Sequence, residues 1–275
     1  MNLARVFTTK TSMTPDDADA YIGAPPMSLP KYDEVHISVT FTWDVEKTML
    51  LASLWQHKCQ TIKIGGCAYD DRGDNFVPGM YLKRGIIITS RGCPNNCSFC
   101  FVPAREGKIR ELPIQEGNVI QDNNLLACSR QHIRNVFDML SRQRAIEFRG
   151  GFECDRITDA IVEDLRKLRI KSIWLAFDSA GDEKYLVKAT EKLGKYFNQN
   201  KLRCYVLIGY GNDTPEKAEN RLKRAYELGT LPFAQLYRDK NNSIEYSKQW
   251  KNLTRFWSRP AIYRSVFKQK LIYQP

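Results

Sequence analysis

Arg91-Gly92-Cys93-Pro94-Asn95-Asn96-Cys97-Ser98-Phe99-Cys100 is the stretch on which the reading of this chain turns. It sets Cys93, Cys97 and Cys100 in C-x3-C-x2-C spacing on a turn rich in Gly, Pro and Asn, directly after the apolar run Gly85-Ile-Ile-Ile-Thr-Ser90. That order places three thiols on one tight loop at the end of a buried strand. Thiolate is the soft ligand that holds iron–sulfur clusters, and a [4Fe–4S] cube normally takes four of them. Three ligands leave one iron open to chelate a small molecule. Two other readings stand beside this one. Zinc wants four ligands in paired short spacings, and no second Cys/His pair follows. A disulfide knot wants an oxidising compartment.

At 275 residues the chain is long enough for one large domain, or one domain with an appendage. A hydrophobic content of 43% with 11% aromatic residues argues against wholesale disorder. Lys and Arg number 42 against 31 Asp and Glu, a net charge of +11. Such a surface attracts polyanions, so nucleic acid, a nucleotide or an acidic partner are candidates. The charge is nevertheless spread along the chain, as in a merely soluble basic protein. The segment Met1–Lys10 lacks the apolar core of a signal peptide and no apolar run approaches spanning length, which predicts a cytoplasmic protein with no membrane partner. Eight cysteines in a reducing compartment are free thiols or metal ligands. Outside the loop, Cys59, Cys67, Cys128, Cys154 and Cys204 are scattered singly and read as small buried hydrophobes.

Taken in order, residues 1–30 are polar and punctuated by proline, and read as an extended arm. Glu34–Thr42 alternates like a strand, Asp44 is placed to cap a helix from Val45 to His57 with Met49, Leu50, Leu54 and Trp55 on one face, and Thr61–Gly66 is a second strand. Residues 33–66 thus spell a single β-α-β unit. From residue 118 strands and helices alternate: strands at 118–122, 145–149, 172–177, 203–208 and 231–237, and helices at 129–141, 157–169, 183–197, from Asp213 onward, and at 243–256. Asp213-Thr-Pro-Glu216 reads as an N-cap followed by proline in the first turn. With Gly85–Thr89 there are six strands, and the alternation means βα units around a parallel sheet. Active groups in such sheets lie just past the strands' C-terminal ends. Here those positions hold the cysteines, Asp122-Asn-Asn124, Gly150-Gly-Phe-Glu153, Asp178-Ser179, Gly209-Tyr-Gly211 and Gln235 with Arg238.

The spacing Cx3CxΦC, with Phe99 as the aromatic, resembles the signature of the radical SAM superfamily, and the likeness runs from about Gly85 to Arg238. The resemblance implies a partial (β/α)6 TIM barrel over residues 85–275, preceded at 1–84 by the arm and a short β-α-β cap. It implies a [4Fe–4S] cluster on Cys93, Cys97 and Cys100, S-adenosylmethionine as cofactor, oxygen sensitivity, and an electron donor such as flavodoxin or ferredoxin. Gly150, Gly151 and Glu153 resemble the glycine-rich motif that binds the methionyl ammonium, although here Phe152 is inserted before the Glu. Asp178 and Ser179 match the positions that hold ribose hydroxyls or the carboxylate, Ile208 and Gly209 those that pack on adenine, and Phe99 backs the adenine from the loop. Two features depart from the family pattern. Residues 101–117 are broken by Pro103, Gly107, Pro113 and Gly117, so the first barrel helix is expected to be missing or reduced to a turn. Residues 33–66 with Phe76–Tyr81 resemble the tail of the cobalamin domain that some members carry, but are too short for a complete one and read as a vestigial cap.

The expected activity is reductive cleavage of S-adenosylmethionine followed by hydrogen abstraction from a nucleotide, RNA or other anionic substrate. Asp122, Asn124, Tyr210 and Arg238 are the substrate-facing candidates, with Arg105 and Lys108 along the open side. A cobalamin-dependent methyltransferase is the alternative enzyme, and a basic, metal-stabilised nucleic-acid-binding protein the alternative outside enzymes. The aromatic and basic segment from Trp250 to Tyr263 could stack bases, but reads rather as a helix closing the barrel bottom.

Overall fold

The computed structural model describes residues 2–72 and 76–272. Its first part is a parallel sheet of four short strands, β1 (Leu3–Phe7), β2 (Ala20–Ile22), β3 (Tyr32–Ser38) and β4 (Cys59–Gly65), in the order β2-β1-β3-β4, with α1 (Glu46–Trp55) between β3 and β4. The expected extended arm therefore contributes two strands. The alternation in Leu3-Ala-Arg-Val-Phe7 buries Ala4 and Val6 completely, but the run is only five residues long and the turn-rich segment after it masks the pattern.

The buried face of α1 also differs from expectation. Thr48, Leu51 and Trp55 face the sheet, whereas Met49 is 72% and Leu50 65% exposed. Asp44 does not cap the helix. It lies buried one turn earlier, where its carboxylate accepts from the hydroxyls of Thr8 and Thr9 and from Lys47, so the residue pins the end of β1 to the start of α1. Burial alone would raise its pKa, and these bonds outweigh burial and hold it below the usual carboxylate range.

The second part begins with β5 (Ile86–Ile87) and an antiparallel pair, β6 (Ser90–Arg91) with β7 (Arg110–Glu111), that encloses the five-residue α2 (Val102–Glu106). This is the first helix reduced to a turn, as the prolines and glycines of that interval predict. Then follow β8 (Val119–Ile120), α3 (Arg130–Ser141), β9 (Ile146–Phe152), α4 (Asp159–Leu165), β10 (Ile170–Phe177), α5 (Glu183–Leu193), β11 (Leu202–Ile208), α6 (Pro215–Glu227), β12 (Leu231–Leu236), α7 (Lys248–Trp257) and α8 (Pro260–Ile272). Six of the strands form one all-parallel sheet in sequential order, β5-β8-β9-β10-β11-β12. Sequential order with a helix at nearly every crossover sends all six C-terminal ends to one side. Alternate residues such as Ile173, Leu175 and Phe177 bury against the helices, where Val136, Leu165, Leu186 and Leu222 meet them in one core.

Caps explain where the helices start. Ser129 accepts from His132 N at 3.1 Å, and α6 is capped by Thr214, not by the expected Asp213. Asp213 instead accepts from Gly209 N and takes a two-pronged contact from Arg221, tying the loop after β11 to α6. At the C-terminal end Trp257 and Tyr263 are fully buried, and the Tyr263 hydroxyl donates to Pro232 O at 3.1 Å. These rings pack against the sheet at β12 and expose no ring face to solvent. Among the described residues no helix is long and apolar enough to cross a membrane.

Trp257→Ala should cost about 3–5 kcal/mol of stability, and Tyr263→Phe about 1 kcal/mol, both read from urea unfolding midpoints.

Candidate active site

The C-terminal ends of both parallel sheets open onto one cavity of about 1290 Å3. From the second sheet come the cysteine loop after β6, Asn124 after β8, Glu153 after β9, Asp178 after β10 and the segment Tyr237–Lys240 after β12. The small sheet supplies Phe41 and Trp43 after β3, and Cys67, Asp70 and Arg72 after β4. Parallel sheets collect ligand-facing loops at these ends because every strand delivers its next turn to the same side.

The cysteine loop is closed at its base by backbone. Cys93 N donates to Gly107 O at 3.1 Å, and Cys100 N to Cys97 O at 3.0 Å. Gly92 sits at φ +82°, and a Cβ there would lie 2.2 Å from Lys108 O, so only glycine lets the two arms of the loop touch. Beneath them Glu106, 3% exposed, accepts from Gly92 N and from Arg105, with Arg91 3.6 Å away. Burial first, and then the neighbouring cysteines, push the thiols of Cys97 and Cys100 up. Sulfurs that resist ionising together form a site that a polynuclear cation would stabilise. Among the described residues no three Cys, His, Asp or Glu side chains converge on a single metal ion. A cube takes one thiolate per corner, and its ligands stand further apart than those around one ion.

Around the loop runs a polar network. Glu153 accepts from Asn95 Nδ2 at 2.6 Å, from Asn124 Nδ2 at 2.8 Å and from Arg156. Burial would raise its pKa, but these bonds outweigh burial and hold the carboxylate below its usual range. The inserted Phe152 ends β9 inside the core against Phe148, and Glu153 is the next residue, which turns back to the cavity that Gly150 and Gly151 also border. Burial, then Asp182, push the carboxyl of Asp178 up to about 6. Ser179 lines the cavity, but its hydroxyl and backbone N–H both donate to Asp182 at the start of α5.

The remaining expected residues divide. Phe99, Gly151 and Arg238 line the cavity; Phe99 meets Tyr210 edge-on at 5.6 Å, and the Arg238 guanidinium lies 4.8 Å from the Trp43 ring centre. Asp122 is 2% exposed, with its oxygens on Thr89 N, Thr89 Oγ1 and Ser90 Oγ. Gly150 also borders the cavity, and it is required for strand packing, since a Cβ there would sit 1.7 Å from Asp122 O. Ile208 is fully buried in the core, and neither it nor Gly209, Tyr210 or Lys108 belongs to the lining. Gly209 gives room to Tyr246, whose ring a Cβ would meet at 2.9 Å.

Sequence reasoning missed Asn95, Phe41, Trp43, Cys67 and Tyr237. Asn95 sits inside the cysteine motif and carries a donor, a signal that could have been used. The others depend on the small sheet facing the large one. Cys67 is exposed rather than a buried hydrophobe, and Cys59 is only half-buried.

No protein-family model matches the chain. A threonylcarbamoyladenosine tRNA methylthiotransferase, MtaB, from Aquifex aeolicus (strain VF5) is 25% identical over 109 residues, 39% of this chain. The matched segment is 26% of that protein, so the chain spans about a quarter of the curated relative it matches. Among solved structures, the radical S-adenosylmethionine methyltransferase TsrM from Kitasatospora setae, with cobalamin and a [4Fe–4S] cluster bound, superposes with a TM-score of 0.58 at 11% identity. That match covers 86% of this chain and 75% of that one. At that identity the likeness to TsrM is one of fold, and the three-cysteine loop stands at the C-terminal end of the larger sheet of that fold.

Asp178 yields a pH prediction. Its folded pKa of about 6 lies above the ordinary carboxylate range, so its cost to the fold is absent at low pH and complete above the folded value. Asp178→Asn should match wild type in urea unfolding near pH 4 and exceed it by about 1–3 kcal/mol at pH 7.5.

Proposed function

We propose that the cavity is the active site of a single-cluster radical SAM enzyme acting on an anionic substrate such as a nucleotide or RNA, with the six-stranded sheet curved as a partial (β/α)6 barrel. The observation that carries this reading is the three-cysteine loop on a wall shared with the C-terminal ends of both sheets. Cys93, Cys97 and Cys100 would hold three corners of a [4Fe–4S] cluster. When bound, the reduced cluster supplies the electron that splits the C5′–S bond of S-adenosylmethionine, giving methionine and a 5′-deoxyadenosyl radical that takes hydrogen from the substrate.

The chain's own share is binding, orientation and exclusion of water. Glu153 and Asp178, past β9 and β10, form an acidic wall suited to a cofactor carrying both a sulfonium and an ammonium. Arg72, Arg105, Arg238 and Lys240 lie toward the small sheet and the end of β12, and suit a substrate with negative charge. Arg238 makes no ion pair among the described residues, which leaves its donors available. Asp122 borders the cavity with its carboxylate already engaged by Thr89 and Ser90, so its part is to hold the loop. The surplus of basic residues over the whole chain suits an acidic electron donor such as flavodoxin or ferredoxin.

One observation favours a second reading, the cobalamin-dependent methyltransferase. The N-terminal part is a four-stranded parallel sheet, not a single β-α-β unit, and its C-terminal loops face the cysteines across the cavity. Neither histidine of that part is presented to the cavity: His36 is engaged by Glu34 and Tyr81, and His57 lies outside the lining.

Anaerobic reconstitution should yield about four irons per chain, a brown chromophore, and 5′-deoxyadenosine on addition of dithionite and S-adenosylmethionine. Ser at any of the three cysteines should abolish the product. Stoichiometric cobalamin uptake would favour the second reading, and zinc without cleavage activity would overturn both.

A further inference from the structure

We propose that Asn124 is a positioning residue that couples the reduction potential of the cluster to occupancy of the cofactor site. This rests on the radical SAM reading of the cavity, and it assigns Asn124 to the cluster and cofactor in place of the substrate.

Three features of one carboxamide carry the inference. Asn124 is 4% exposed and lines the cavity. Its Nδ2 donates to Cys93 Sγ at 3.5 Å and to Glu153 Oε2 at 2.8 Å, which uses both of its hydrogens. The carboxylate of Glu153 can only accept, so the amide nitrogen must face it, and the orientation of the group is set by chemistry. Its Oδ1 is buried and meets no donor among the described residues. Buried acceptors are rarely left so, and one at the wall of a ligand cavity is most simply matched by a donor on the ligand.

The surroundings hold the amide in place. Glu153 also takes Asn95 Nδ2 from the cysteine loop itself, so a chain of contacts leaves the loop at Asn95 and returns to it at Cys93. A hydrogen bond to a ligating sulfur withdraws charge from the cluster and favours its reduced, more negative state. A donor arriving at Oδ1, such as an ammonium or hydroxyl of the cofactor, polarises the same carboxamide and strengthens its N–H···S bond. Binding of the cofactor therefore makes the cluster easier to reduce.

The test uses the reconstituted full chain as wild type, Asn124→Leu and, as the milder change, Asn124→Gln. Redox titrations followed by electron paramagnetic resonance are run with and without saturating S-adenosylmethionine. Both variants should take up iron as wild type does, show a more negative midpoint potential, and lose the positive shift that S-adenosylmethionine produces in wild type. The leucine variant should also bind S-adenosylmethionine about ten-fold more weakly. A wild-type chain that takes up no cluster overturns the radical SAM reading itself. A cluster whose potential and cofactor response are the same in wild type and both variants overturns the assignment of Asn124 and leaves that reading intact. Failure of both variants to load a cluster overturns it too, in favour of a purely structural role.

Discussion

The buried carboxylate of Asp122 is the constraint around which the site is arranged. It accepts from Thr89 N, Thr89 Oγ1 and Ser90 Oγ, so the end of β8 is fastened to the backbone that leads into the cysteine loop. Burial raises its pKa, and the three bonds from Thr89 and Ser90 oppose that rise. Its own carbonyl fills the space where a Cβ at Gly150 would stand, which brings β9 against β8. Three strand ends thus converge on one residue. The Asn124–Glu153–Asn95 contacts reach the cysteines only because β8 and β9 are held this close.

From that convergence the cavity follows. With only α2 between β5 and β8, no full helix stands beside the cysteine loop, and Arg105 reaches the wall from the short turn that remains. The small sheet covers the mouth, and the Arg238–Trp43 contact and the Lys240–Asp70 pair at 3.2 Å join the end of β12 to it. The pair is exposed and adds little stability. The charge around the cavity is thereby divided, acidic beside β9 and β10 and basic toward the small sheet.

Several positions show why some features were legible in the chain and others were not. The cysteine spacing, the six strands and the reduced first helix are local signals, since each depends on residues within a short window. The arm was misread because β1 and β2 are short and become strands only by pairing with β3 and with each other. Met49 and Leu50 were assigned to the buried face of α1 because hydrophobicity was taken for direction, whereas the sheet is met by Thr48, Leu51 and Trp55. Ile208 and Gly209 had the right residue types at a strand end, but the side chain of Ile208 turns into the core and the space beside Gly209 belongs to Tyr246.

What the sequence determined by itself was the class of architecture and the cysteine loop, because period, breaker residues and thiol spacing act over a few residues at a time. Tertiary structure decided which polar groups serve the fold and which face the cavity. Asp122, Asn124 and Glu153 are alike in the sequence as polar residues after strands, yet one is a buried fastening, one touches a cysteine sulfur, and one gathers three donors. The physical reason is that a hydrogen bond depends on distances between chain segments 29 to 58 residues apart, and only the packing of β5, β8 and β9 sets them.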